Sequence, residues 1–315
     1  MKIVFIGSGQ IGVPCLEELA DNKKHKVIAV VTQPDRAAGR QLKLHMNPIK
    51  ETAFKRHIRI YQPEKINQKT VIAQLRYLEA DVFVVMAYGQ ILSREILDLP
   101  RLGCLNLHAS LLPKYRGASP IQAAIRAGDS YSGMTLMWME EGLDSGDILC
   151  ASRLSLHSDE TAESLHDRLA QLAPKVLEEG LHLIAKGKAP RFKQNPLEVS
   201  YTKKLKKEDG LIDWKQEQKV VEQQIRAMIP WPGAYTSILI GKQPKTLKVF
   251  QTILSQRCKG EAGKVMRVDK HGILVAAKKG GLLLREVQLE GKKRMSAEEF
   301  VRGFQIPVGT ILGQA

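Results

Sequence analysis

The sequence predicts an α/β fold: a doubly wound, mostly parallel sheet, followed by a small antiparallel β-barrel. Three observations carry this. Apolar runs of strand length alternate with helical patterns through the first part of the chain. The first of these strands ends in a glycine-rich turn. The last third holds mainly short strands separated by turn signals.

Taken in order, KIVFIG (2–7) is short, apolar and closed by glycine, the pattern of a strand buried on both faces. PCLEELAD (14–21) follows the glycine turn as a helix, and KVIAVVTQ (26–33) is a second apolar strand. NPIKETAFKR (47–56) and KTVIAQLRYLEA (69–80) read as helices, DVFVVMA (81–87) and GCLNLHAS (103–110) as strands. A helix is expected near 120–127, then strands at SGMTLMWM (132–139) and DILCASRLSL (147–156). In residues 161–187, Ala162, Leu165, Leu169, Leu172, Val176 and Leu177 recur at helical spacing. Pro174 is expected to kink or split that helix, and Gly187 and Pro190 to end it. Residues 190–212 are polar and carry Pro190, Pro196 and a lysine cluster, the composition of a linker. EQKVVEQQIRAMI (217–229) is a helix stopped by Pro230-Trp231-Pro232-Gly233. AYTSILI, KTLKVFQTIL, GKVMRV, GILVAA and GLLLREVQL then supply the short strands of the barrel. The expected domains are residues 1–189, a basic linker over 190–208, and residues 209–315.

A chain of 315 residues suits two domains, and 43% apolar residues are enough for two cores. The formal net charge is +15, and residues 241–315 hold 15 Lys/Arg against 6 Asp/Glu, so the excess is concentrated at the C-terminal end. Such a field favours a polyanionic partner. Cys15, Cys104, Cys150 and Cys258 form no C-x-x-C pair and have no histidine at zinc-ligand spacing, so buried thiols and no metal site are expected. No apolar run approaches the ~18 residues of a membrane span, and the chain enters a strand directly. A cytoplasmic, monomeric protein without leader peptide or membrane partner is expected.

Gly7-Ser8-Gly9-Gln10-Ile11-Gly12 spells G-x-G-x-x-G, and Asp35 follows at about the distance of a ribose ligand, the pattern of a dinucleotide site. Asp35, however, follows Pro34 and lies among Arg36 and Arg40, so it belongs to a basic loop rather than a strand end. The glycines are read as a tight turn with close packing, and nicotinamide binding is not expected.

CLNLHASLLPKYRG (104–117) is the segment richest in chemistry. Alternate strand residues share a face, so Asn106 and His108 point together at the carboxyl end of a strand, where open α/β sheets place their ligands. An Asn amide can hold a developing oxyanion and a His can exchange a proton near neutral pH. Together they suit attack on a carbonyl by a nucleophile that the substrate supplies, since no G-x-S-x-G elbow is present. A carboxylate partner is expected from MEEGLDSGDIL (139–149), which offers Glu140, Glu141, Asp144 and Asp147; spacing does not choose among the four.

N-L-H-A-S-L-L-P-K-Y-R-G followed by E-E-G-L-D-S-G-D-I-L resembles the folate-dependent formyltransferase family. The resemblance implies a Rossmann-like catalytic domain with an OB-like C-terminal barrel, and a catalytic set of Asn106, His108 and Asp144. It implies folate contacts at Ser110, Leu111, Leu112 and Pro113 and, through AYGQIL, at Ala87, Tyr88 and Gly89. TQPDRAAGRQLK (32–43), IRAMIPWPGAYT (225–236) and EGKKRMSAEEFVRG (290–303) resemble the branch of the family that acts on initiator methionyl-tRNA. That branch implies formyl transfer from 10-formyltetrahydrofolate, as cosubstrate, to the methionine amine. Arg36, Arg40 and Lys43, with Lys203, Lys204, Lys206 and Lys207, are then the expected tRNA contacts. Formylation of a small amine, such as a glycinamide ribotide or an amino sugar nucleotide, is the alternative; a basic C-terminal domain has no evident use there. A non-catalytic RNA-binding protein is a third possibility, which observed formyl transfer would exclude.

Overall fold

A computed structural model describes residues 1–38, 43–241 and 243–314. Strand β1 (Lys2–Gly7) leads through a short 3-10 turn into α1 (Val13–Asp21), and β2 (Lys26–Val31) follows. A hairpin of β3 (Arg36–Ala38) and β4 (Lys43–His45) stands where the basic loop was read. Asn47 caps α2 (Pro48–Lys55) by accepting the Lys50 backbone N–H at 3.0 Å. Then come β5 (Ile60–Tyr61), α3 (Lys69–Arg76), β6 (Val82–Met86), α4 (Arg94–Leu97), β7 (Cys104–His108), β8 (Arg116–Gly117) and α5 (Pro120–Ala127). Strands β9 (Tyr131–Trp138) and β10 (Ile148–Ser155) precede α6 (Ala162–Ala185).

The principal sheet has seven strands in the order β10-β9-β7-β6-β1-β2-β5. From β5 to β7 all pairs are parallel; β9 and β10 extend the β7 side antiparallel. The chain winds outward from β1 to β2 and β5, then returns to β1's other side with β6 and β7. The switch in direction lies beside β1, and its loops leave from the carboxyl ends of β1, β6 and β7. One sheet face, with Val4, Ile6, Ala29, Val31, Phe83 and Val85, is buried against Val71, Ile72 and Leu75 of α3 and Ile96 and Leu97 of α4.

The glycine fingerprint is a packing device here. A Cβ on Gly7 would stand 2.7 Å from the Met86 carbonyl oxygen on the adjacent strand, and one on Gly12 would stand 3.2 Å from the Phe5 ring. Gly7→Ala is expected to destabilise the protein by about 1–3 kcal/mol, the usual cost of overpacking, readable as a lower Tm. An unchanged Tm would mean that the β1–β6 edge is looser than this contact implies.

Helix α6 runs unbroken through Pro174 for 24 residues, so the expected split does not occur. Leu165, Leu169, Ala173, Val176, Leu177 and Leu181 are all buried, and this packing offsets the ~3 kcal/mol that an interior proline costs.

The chain divides into two compact units. One comprises Met1–Pro120, Tyr131–Ser155 and His166–Thr202; the other comprises Ile121–Ser130, Leu156–Leu165 and Lys203–Ala315. The first unit thus runs on past residue 189, to Thr202. Residues 190–202 are not a free tether, because backbone pairing secures them to the first unit. Phe192 bridges Ile148, and β11 (Tyr201–Thr202) pairs in parallel with β8. The second unit carries α7 (Gln218–Ala227), which packs on β13. Its antiparallel sheet is built from β12 (Ala234–Ile240), β13 (Gln243–Ser255), β14 (Val265–Asp269), β15 (Gly272–Ala276) and β16 (Gly281–Leu289). The strand order is β12-β13-β16-β15-β14, with β17 (Met295–Ser296) branching onto β16 before α8 (Ala297–Gly303). Where a barrel was expected, the structure holds an antiparallel sheet of six strands.

Candidate active site

The register of β7 sets the site. Asn106 pairs with Val85 on one side and Met137 on the other, and His108 pairs with Thr135. Leu105 and Leu107 are buried between them, which turns Asn106 and His108 to a common face at the strand's carboxyl end. The turn between β9 and β10 brings Asp144 to that face. Asn106 Nδ2 donates to Asp144 Oδ1 at 3.3 Å, and His108 Nδ1 lies 3.6 Å from Asp144 Oδ2. The backbone N–H of Gly117 donates to the same Oδ2 at 2.8 Å. His108 Nε2 lies 2.9 Å from the Tyr115 carbonyl oxygen. Nε2 is thus within hydrogen-bond distance of an acceptor, while Nδ1 faces the Asp144 carboxylate at ion-pair distance. The side chains of His108 and Asp144 are 7% and 14% exposed, so these interactions work in poorly solvated surroundings.

Of the four acids in the turn, Asp144 is the one that meets the Asn–His pair. Glu140 instead accepts from the Ser145 hydroxyl, and Glu141 is exposed. Asp144 has φ +49°, a left-handed conformation that only a tight turn asks of a non-glycine residue.

The loop after β7 is anchored on itself. The Ser110 hydroxyl donates to the Lys114 carbonyl at 2.6 Å, and the Ser110 carbonyl accepts from the Thr135 hydroxyl at 2.6 Å. Ser110, Leu112 and Pro113 are buried and Leu111 is half-buried, so this stretch shapes the loop that brings Tyr115 to His108. After β6, Ala87 and Gly89 are exposed with φ +50° and +83°. Tyr88 points the other way, into the core, where burial raises its phenol to about 12 and its hydroxyl has no hydrogen-bond partner among the described residues. Any ligand contact from that loop must therefore come from the exposed backbone on either side of Tyr88. Because β6 and β7 are adjacent, this backbone lies at the same sheet edge as His108.

Asp35 is committed elsewhere. Lys50 Nζ donates to it at 2.5 Å and Gln62 Nε2 at 2.9 Å, and these bonds hold its carboxyl below the ordinary carboxylate range. Arg36 and Lys43 sit on the β3–β4 hairpin, whereas Arg40 lies outside the described residues. Lys203, Lys204, Lys206 and Lys207 are all exposed at the start of the second unit, remote in sequence from β7.

Sequence reasoning missed Gln194, in the stretch read as linker. Its Nε2 donates to the carbonyls of Asp144 (2.9 Å) and Gly146 (2.8 Å), while Oε1 accepts from Arg116 Nε (3.1 Å) and Nη2 (2.8 Å). It also missed Ser200, whose hydroxyl accepts the Tyr115 N–H at 2.8 Å. A lone Gln or Ser in a polar stretch carries no periodic signal. Among the described residues no group of three or more His, Cys, Asp or Glu side chains is placed to hold a metal.

Residues 1–181 match the formyl transferase family, and residues 204–305 match the formyl transferase C-terminal domain. The chain belongs to the formyltransferase family. Over 315 residues it is 52% identical to a methionyl-tRNA formyltransferase of Methylacidiphilum infernorum (isolate V4), covering all of this chain and 98% of that protein. Identity to the methionyl-tRNA formyltransferase of Geobacter sulfurreducens is 43% over 315 residues, again covering all of this chain and 98% of that one. Among solved structures, an N-formyltransferase of Helicobacter canadensis, described in complex with folinic acid and dTDP-3-aminofucose, aligns with a TM-score of 0.65. At 20% identity over 90% of this formyltransferase and 98% of that chain, it establishes the shared fold.

Proposed function

We propose that this formyltransferase transfers the formyl group of 10-formyltetrahydrofolate to the α-amino group of methionine esterified to initiator tRNA, for translation initiation. Kinship to methionyl-tRNA formyltransferases along the entire chain, C-terminal unit included, is the observation that carries the choice of acceptor. The acting unit is a single chain in the cytoplasm, where initiation takes place. The antiparallel sheet of the second unit is taken to close as an OB-like barrel.

The folate supplies the activated formyl carbonyl. The exposed backbone of Ala87 and Gly89 fits one edge of a flat pterin, since no side chain among the described residues comes within 4 Å of a Cβ built on Gly89. Leu111, half-buried in the loop after β7, offers the folate apolar surface. Asn106 commits one amide hydrogen to Asp144 and keeps the second for negative charge developing on the formyl oxygen. His108, on the same face, supplies a second N–H when it exchanges the Tyr115 carbonyl for that oxygen. Asp144 orients both residues. It is also the base best placed to receive the proton that the amine loses as its bond to carbon forms, before that proton reaches the departing folate nitrogen.

Arg36, Arg40, Lys43 and the cluster Lys203, Lys204, Lys206 and Lys207 meet tRNA phosphates. Changing the four clustered lysines to glutamine is expected to raise KM for tRNA several-fold and to flatten its salt dependence, with KM for the folate unchanged. A salt slope identical to wild type would remove these lysines from the interface. The function itself is tested by formylation of charged initiator tRNA against glycinamide ribotide and an amino sugar nucleotide. Preference for either small amine would overturn the proposed acceptor.

A further inference from the structure

We propose that Gln194 is a positioning residue for this reaction: it clamps the Asp144 turn in the one backbone conformation that delivers the carboxylate to His108 and Asn106. The inference rests on the catalytic reading above.

The orientation of the Gln194 amide is fixed by its neighbours. Arg116 has only donors to offer, and its Nε and Nη2 both meet Oε1, so the NH2 end must face the turn. There it meets two carbonyls, those of Asp144 and Gly146, at 2.9 and 2.8 Å. Each hydrogen of the NH2 group has an acceptor, and Oε1 is filled. Arg116 is in turn fixed: it is 8% exposed, and its backbone is pinned by the Ser200 carbonyl at 2.9 Å. The clamp is thus rigid at both ends.

What it clamps needs holding. A left-handed backbone is less favourable at a residue that carries a Cβ than at glycine, and Asp144 has φ +49°. Both Gln194 hydrogen bonds fall on carbonyls that would swing if residues 144–146 relaxed toward an ordinary turn. Such a swing would carry the Asp144 side chain away from His108 Nδ1, Asn106 Nδ2 and the Gly117 N–H, its three partners in the site. Gly146 restricts the turn further, because a Cβ there would strike the Trp138 carbonyl. Gln194 therefore holds the reactive carboxylate in place from behind, through backbone atoms, without reaching the substrate.

The test is a double-mutant cycle. Gln194→Ala should lower kcat about 10-fold or more in the wild-type background, with KM for folate and for tRNA changed less than about 2-fold. In an Asp144→Asn background, where the carboxylate is already lost, the same change should cost little. Gln194→Met keeps the volume without the donors and should behave as Gln194→Ala does, which covers the case in which the alanine variant fails to fold. Gln194→Glu should also be impaired, because its carboxylate can still accept from Arg116 but has no hydrogens for the two carbonyls. Equal losses from the Gln194 change in both backgrounds, or a fully active Gln194→Met, would overturn the inference. Absence of formyl transfer by the wild type would instead overturn the functional reading on which it rests.

Discussion

Asn106→Ala and His108→Ala are each expected to lower kcat by about 10²-fold or more, the scale of losing one donor to a developing oxyanion. Affinity for the folate should change little, because neither side chain belongs to the segments assigned to it. His108 also fills space: it is 6% exposed and satisfies the Tyr115 carbonyl, so His108→Asn, which retains an N–H, is the gentler companion variant. Asn106→Asp tests the same idea with shape preserved. It would place a second carboxylate 3.3 Å from Asp144 and remove the only N–H donors of that side chain. Single-turnover kinetics under saturating folate separate the chemical step from binding. Retention of kcat in either alanine variant would show that charge on the formyl oxygen is met by other groups, and the assignment of roles would be wrong.

Gly117→Ala is the second change from which a large effect is expected. The residue has φ +107°, a conformation that L-residues rarely adopt, and a Cβ would strike the Thr202 carbonyl oxygen. Both the torsion and the β8–β11 pairing must therefore give way. The Gly117 N–H also donates to Asp144, at 2.8 Å, so backbone adjustment reaches the proposed catalytic residues directly. The expected result is a lower Tm together with a kcat reduced by about 10²-fold in the fraction that remains folded. A folded variant with wild-type kcat would mean that the Gly117 bond contributes nothing to how Asp144 works.

Much of this was written in local sequence. The strands of the parallel sheet are continuous apolar runs, and their alternation sends Asn106 and His108 to one face; both facts depend only on neighbours in the chain. The choice of Asp144 over Glu140, Glu141 and Asp147 does not. It depends on how the β9–β10 turn folds over β7, and before the structure it rested on resemblance to a family. The Ser110–Pro113 stretch shows the converse limit. Resemblance assigns it to the folate, and the burial of Ser110, Leu112 and Pro113 makes it the frame of the loop as well, a part that the local sequence does not announce. Tyr88 is similar, with its aromatic ring turned inward. Pro174 misled because a local penalty was overruled by the burial of apolar side chains on either side of it. Residues 190–202 misled most. Polar composition and two prolines look like a tether, and the pairing that fastens them runs to partners about 80 residues earlier, such as Ser119 with Thr202 and Tyr115 with Ser200.

That late fastening gives the molecule a schedule. During synthesis the chain is made from its N-terminus, and Asn106, His108 and Asp144 all leave the ribosome well before residues 190–202 do. Until that segment emerges, β8 lacks its partner strand, the Tyr115 and Ser119 N–H groups lack the hydroxyls that receive them, and the turn bearing Asp144 is open at the back. The nascent chain thus holds all three proposed catalytic side chains for some time without the belt that draws them into register. Activity is expected to mature late, and chains released after residue 189 should be inert even where their sheet has formed. Formyl transfer by such a shortened chain at the full-length rate would show that the belt is dispensable.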